Sequence, residues 1–265
     1  MQAIQIQNLQ KSFGGLKAIN HCSFSVEEHS ITGLIGPNGA GKTTMFDLIN
    51  GLMLPDEGHI VIRNHQVTRW AAHRRAKLGM ARTFQAIRIW PELTVLDNVI
   101  LALKEHPEKL FHAFLPFKKL RRQLEKEAIN FLEMVGIADK SHMQASELSF
   151  GQQKLLEIAR AVATNADILL LDEPAAGINL TLLKVIKKLL MELHKKGKTI
   201  FIVEHNMPFL MSLAQTVIVL DFGKELAIGA PEEIQKNQRV LDAYLGKKSL
   251  GCPAIAIRLR RTAGR

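Results

Sequence analysis

The 265-residue sequence has little cysteine: Cys22 and Cys252 lie far apart, with no CxxC spacing. That argues against a disulfide framework and a thiolate zinc site, and a reducing compartment fits best. It also lacks a long apolar run. Stretches such as 168–171 and 217–220 are strand-sized, well short of the roughly 18 residues that a spanning helix needs. The first ten residues carry neither a basic n-region nor an apolar h-region, so no secretory signal is expected and the chain is expected in the cytosol. Internal repeats and low-complexity stretches are missing too.

Composition is otherwise ordinary for a globular chain, 47% hydrophobic and 23% charged, with length for one core or two small ones. Acidic charge is scarce relative to basic, leaving a net +10. Six of those ten excess charges fall in 246–265, as Lys247, Lys248, Arg258, Arg260, Arg261 and Arg265 with no acid among them. The tail 247–265 is expected to be disordered. The remaining excess is spread over amphipathic helical faces, as at Lys184, Lys187, Lys188, Lys195 and Lys196, and reads as solvated surface. Nucleic acid is therefore not expected as a partner.

Alternating patterns predict short strands at 4–7, 18–26 and Ile31–Ile35, the last running into a glycine-rich turn. A helix is predicted over Lys42–Asn50, with strands at 60–63 and 79–84. From about 94 to 143 the pattern turns helical. Apolar residues at helical spacing over 120–135, among Arg121, Arg122, Glu125, Lys126 and Glu127, suggest a helical block, about 94–163, inserted in the core. Strand patterns at 168–171 and Thr199–Val203 flank a helix over 181–195, as a parallel βαβ unit requires. A hairpin over 216–228 and two short helices up to Tyr244 complete the main body, 1–246. The fold class is α/β.

Three motifs carry chemistry. Gly36-Pro37-Asn38-Gly39-Ala40-Gly41-Lys42-Thr43-Thr44 is a P-loop in its confirming context, between a predicted strand and a predicted helix. The glycines let backbone N–H groups approach phosphate, Lys42 supplies a point charge, and the Thr43 hydroxyl can ligate Mg²⁺. Next, the apolar run ending Leu171-Asp172-Glu173-Pro174 places two carboxylates at the carboxyl edge of a parallel sheet. Asp172 is suited to hold Mg²⁺ through water, and Glu173 to act as general base on the attacking water. Third, Leu148-Ser149-Phe150-Gly151-Gln152 stands before a helix predicted over 153–163, with Ser149 as a natural N-cap. Ser149 precedes Asp172 by 23 residues.

Together these motifs resemble the ABC ATPases over about residues 3–246. The resemblance implies a P-loop core with an antiparallel β subdomain and an inserted helical subdomain, binding ATP and Mg²⁺. It implies that Gln85 is a catalytic and metal-binding glutamine joining core to helical subdomain, that His205 senses the γ-phosphate, and that Phe13 stacks on adenine. Ser149, Gly151 and Gln152 would then contact the ATP of a second ATPase subunit. Further runs resemble the ATP-binding subunits of branched-chain amino acid importers: Arg82-Thr83-Phe84-Gln85, Phe150 to Gln153, Ala175-Ala176-Gly177-Ile178-Asn179, Glu204-His205-Asn206-Met207 and Ala243-Tyr244-Leu245-Gly246. The basic segment within 111–122 is of similar length.

Two residues depart from the general ABC pattern. Phe150 replaces a glycine and is expected to point into the helical subdomain, and Asn179 stands where aspartate is usual. The implied protein is a peripheral motor on the cytoplasmic side of a membrane, partnered by a second, different ATPase subunit, two permease chains and, indirectly, an extracellular solute-binding protein. A urea or amide importer and a lipopolysaccharide exporter remain open as alternatives. So does a non-transport ABC ATPase acting on ribosomes or nucleic acid, although such proteins carry two ATPase domains or a long coiled-coil insertion.

Overall fold

The computed structural model describes residues 1–84, 86–104 and 117–245. Its strands are β1 Gln2–Phe13, β2 Leu16–Glu27, β3 Ile31–Ile35, β4 Glu57–Ile62, β5 His65–Gln66, β6 Met80–Arg82, β7 Ile168–Asp172, β8 Thr199–Val203, β9 Thr216–Asp221 and β10 Lys224–Gly229. The helices are α1 Lys42–Asn50, α2 Ala72–Ala76, α3 Val95–Lys104, α4 Phe117–Val135, α5 Phe150–Ala163, α6 Leu180–Lys195, α7 Met207–Met211, α8 Pro231–Lys236 and α9 Gln238–Tyr244. Gln85 and the tail 247–265 lie outside the described residues, as does most of the basic segment within 111–122.

Two sheets carry the fold. β2-β1-β4-β5 is antiparallel, and β10-β9-β3-β8-β7-β6 is parallel except for its β9–β10 hairpin. Strands β3, β7 and β8 are buried throughout because both faces of their sheet are covered. Alternate residues divide between two cores: Leu169, Leu171, Ile200 and Ile202 face the helices α3 to α6. Ile168, Leu170, Phe201 and Val203 face α1 and the antiparallel sheet. The βαβ unit β7–α6–β8 is parallel as expected, with Ile168 opposite Thr199.

Several boundaries differ from the sequence pattern, two of them for a clear local reason. β1 runs to Phe13 because it absorbs register shifts between Ile6 and Leu9, where Asn8 takes φ +49, an irregularity that hides its alternation. α5 begins at Phe150, not residue 153, because the extended Ser149 already closes the first turn.

Candidate functional site

β3 delivers the chain into the P-loop, where two glycines are obligatory. A Cβ on Gly36 would stand 2.2 Å from the Leu220 carbonyl oxygen of β9, and one on Gly41 (φ +100) 2.4 Å from the Ala18 carbonyl oxygen of β2. Neighbouring backbones thus squeeze the loop from two directions. The β9–β10 turn braces it further, since the Gly223 N–H donates to Ala40 O at 3.1 Å and Gly223 O accepts from the Asn20 N–H at 2.8 Å. Lys42 is buried, and its Nζ donates to the carbonyl oxygens of Gly36 (2.8 Å) and Pro37 (3.0 Å). Burial pulls its pKa down, opposed by the charges of Glu173 and Asp172, so the P-loop cation and the two carboxylates share one electrostatic site. Asn38, Gly39 and Thr43 are exposed, and Thr44 is half-buried.

β7 and β8 end at the same edge. Asp172, only 2% exposed, lies 3.1 Å from an Arg82 nitrogen, while the other arm of Arg82 meets Asp47 of α1 at 2.7 Å. Desolvation raises the Asp172 pKa, and the Arg82 contact works against that rise. Glu173 has φ +49, in the left-handed region that side chains rarely adopt. Its N–H donates to Val203 O at 2.9 Å, and its Oε1 lies 3.0 Å from Nε2 of His205. Lys42, Asp172, Glu173 and His205 are therefore brought together, with Thr43 beside Lys42 at the start of α1.

The signature residues are placed elsewhere. Ser149 caps α5, and its N–H donates to the Gln152 side chain at 3.0 Å. Among the described residues no hydrogen bond joins Ser149, Gly151 or Gln152 to the P-loop. Phe150 corrects the sequence expectation: its ring, 54% exposed, lies over Gly177, whose missing side chain leaves room there, instead of entering the helical subdomain. Asn179 caps α6, accepting the Leu182 N–H at 3.0 Å, a role for which asparagine and aspartate are equivalent. Phe13 sits at the β1–β2 tip, 44% exposed, with the Lys11 ammonium 5.7 Å from its ring centre.

Several residues were given no role by sequence reasoning. On α5, buried Lys154 donates to Phe84 O at 3.1 Å and lies 3.1 Å from Glu157, whose other oxygen accepts the Phe84 N–H at 3.0 Å. Two charges on the otherwise apolar stripe of α5 were the available signal. Glu204, before His205, is buried and, among the described residues, is bound by backbone N–H groups alone. Desolvation pushes the pKa of Tyr244, at the end of α9, up to about 12, and the nearby Gly36 backbone works against that rise.

A phosphate-cradling loop opening a helix, with a buried aspartate and a glutamate–histidine pair at the carboxyl edge of a mostly parallel sheet, defines a P-loop ATPase. The family model described as ABC transporter matches residues 19–176, and the model described as branched-chain amino acid ATP-binding cassette transporter matches 224–248. The chain is 38% identical over 249 residues to the high-affinity branched-chain amino acid transport ATP-binding protein LivG of Salmonella typhimurium, covering 92% of this chain and 98% of that one. To the lipopolysaccharide export system ATP-binding protein LptB of Haemophilus influenzae it is 32% identical, covering 94% and 99%. Its fold matches the ADP conformation of an ATP-binding cassette of an ABC transporter, with a TM-score of 0.81, 31% identity, and 93% and 100% of the two chains covered. The chain belongs to the ABC transporter family of ATP-hydrolysing subunits. No described helix is long and apolar enough to cross a membrane.

Proposed function

We propose that this chain powers an importer of branched-chain amino acids from the cytoplasmic face of a membrane, together with two permease subunits, a second ATPase subunit and, outside, a solute-binding protein. The amino-acid branch is supported over lipopolysaccharide export by the higher identity, 38% against 32%, and by the match at 224–248. The observation that carries the hydrolytic mechanism is the Glu173–His205 contact beside Lys42 and Asp172.

Phosphate oxygens of ATP take the place of the Gly36 and Pro37 carbonyls at the Lys42 ammonium, while P-loop N–H groups and the start of α1 receive the remaining negative charge. Glu173 accepts the proton of the attacking water, and His205 orients that carboxylate and meets the γ-phosphate. The exposed Thr43 hydroxyl and the Asp172 carboxylate offer the hard oxygen donors that suit Mg²⁺, with Gln85 as a further ligand. Bound there, Mg²⁺ neutralises charge developing on the phosphates. Phe13 stacks on adenine. Ser149, Gly151 and Gln152 contact the γ-phosphate held by the second subunit, and that subunit's signature serves this chain's ATP.

Lys42→Ala and Glu173→Gln separate binding from chemistry. The first is expected to lose ATP affinity; the second is expected to bind ATP normally and to lose roughly 10²- to 10⁴-fold in turnover. In cells deleted for this chain, radiolabelled leucine uptake should return with the wild-type gene and with neither variant. Wild-type turnover by Glu173→Gln refutes the catalytic assignment, and undiminished leucine uptake in the deletion strain refutes the substrate.

A further inference from the structure

Glu204 touches none of the reacting groups, yet it is 2% exposed and no cation pairs with it among the described residues. Its Oε1 accepts the Ala175 N–H at 2.6 Å, and its Oε2 accepts the N–H groups of His205 (3.0 Å) and Asn206 (3.1 Å). Ala175 lies two residues beyond Glu173, which holds φ +49 and donates its own N–H to Val203. One carboxylate therefore spans two turns: the one that follows the general base and the one that carries its histidine.

We propose that Glu204 is a positioning residue for hydrolysis, clamping these two turns together and so setting the 3.0 Å contact between Glu173 and His205. The inference rests on the catalytic reading of that pair. A strained backbone persists only where its surroundings over-determine it, and the Glu204 carboxylate with Val203 O supplies that constraint from β8. Desolvation raises the Glu204 pKa, opposed by its three backbone hydrogen bonds. A buried acid kept against that cost serves as the shared acceptor of three main-chain N–H groups, and so fixes the two turns that carry them relative to each other.

Glutamine at 204 keeps one acceptor oxygen and turns an amide N–H₂ toward the other turn, releasing it. Aspartate keeps the charge but is one methylene too short to span both. For the full chain, single-turnover hydrolysis with enzyme in excess and binding of a fluorescent ATP analogue are measured for the wild type, Glu204→Gln, Glu204→Asp, Glu173→Gln and the Glu173→Gln/Glu204→Gln double variant. Both Glu204 variants are expected to bind the analogue like the wild type and to hydrolyse ATP roughly 10- to 100-fold more slowly, as a misplacement of about 1 Å would cause. Within the Glu173→Gln background, Glu204→Gln is expected to cause no further loss, because it acts through Glu173.

Wild-type turnover in either Glu204 variant, or a loss that multiplies with that of Glu173→Gln, overturns the inference alone. If both Glu204 variants fail to bind the analogue, the role is structural and the inference falls. A wild-type chain that does not hydrolyse ATP, or one indifferent to Glu173→Gln, removes the catalytic reading and the inference with it.

Discussion

Phe13 is exposed at a hairpin tip, opposite Leu16, and nothing in either core needs its ring. An aromatic held there by β1 presents a π-face without hydrogen-bonding groups to read a base edge. Phe13→Ala should therefore weaken ATP and GTP binding by similar factors, about 1 to 3 kcal/mol by analogy with base stacking elsewhere. Calorimetric titration with both nucleotides checks this, and unchanged ATP affinity would leave Phe13 without the assigned role. The same scale contains features that residue identity does not announce. Glu173 reads in sequence as one acid of a pair, whereas the fold sets it apart through a left-handed backbone and a histidine partner.

Between elements, α5 holds the residue that precedes Gln85. Lys154 and Glu157 are one turn apart on that helix and hold the C=O and N–H of Phe84, the residue before Gln85. Lys154 also reaches the Asp172 carbonyl at 3.5 Å, so the helix that begins with the signature is fastened to the end of β7 as well as to the segment that follows β6. Removing one member of a buried ion pair strands the other: Lys154→Met should lower stability by about 3 to 5 kcal/mol. Adding Glu157→Gln removes the stranded charge yet keeps an oxygen for the Phe84 N–H, so the double variant should regain part of that loss. Urea unfolding of the wild type, the single variant and the double variant measures this, and a double variant no more stable than Lys154→Met would contradict it.

For the whole molecule, the signature at the start of α5 has no hydrogen bond to this chain's own P-loop among the described residues. Its exposed Ser149 and Phe150 suit it to a second subunit's nucleotide. The Phe150 ring rests on Gly177, in the turn between Glu173 and α6, so the signature and that turn are linked within one chain. We expect the isolated protein to be mainly monomeric with slow hydrolysis, and the productive assembly to pair it with a different ATPase subunit on the permease. Light scattering of Glu173→Gln with ATP, alone and with the companion subunit, distinguishes these cases. A tight self-dimer with full activity in its wild-type form would refute the heterodimer.

Sequence by itself determined the P-loop and its helix, the βαβ unit and the two acids at its edge, because each is a short contiguous pattern whose physics is local: glycine freedom, helical spacing, an apolar strand entering a polar turn. It also marked Gln85, Phe13 and His205 through family resemblance. Only the tertiary structure decided that Leu220 and Ala18 leave no room for side chains at Gly36 and Gly41, that Arg82 bridges Asp47 and Asp172, and that Phe150 lies on Gly177. The same holds for Glu204, which binds a residue 29 positions earlier in the chain. These contacts join residues far apart in the sequence, and a buried polar group finds its partners only when the packed strands bring them within hydrogen-bonding distance.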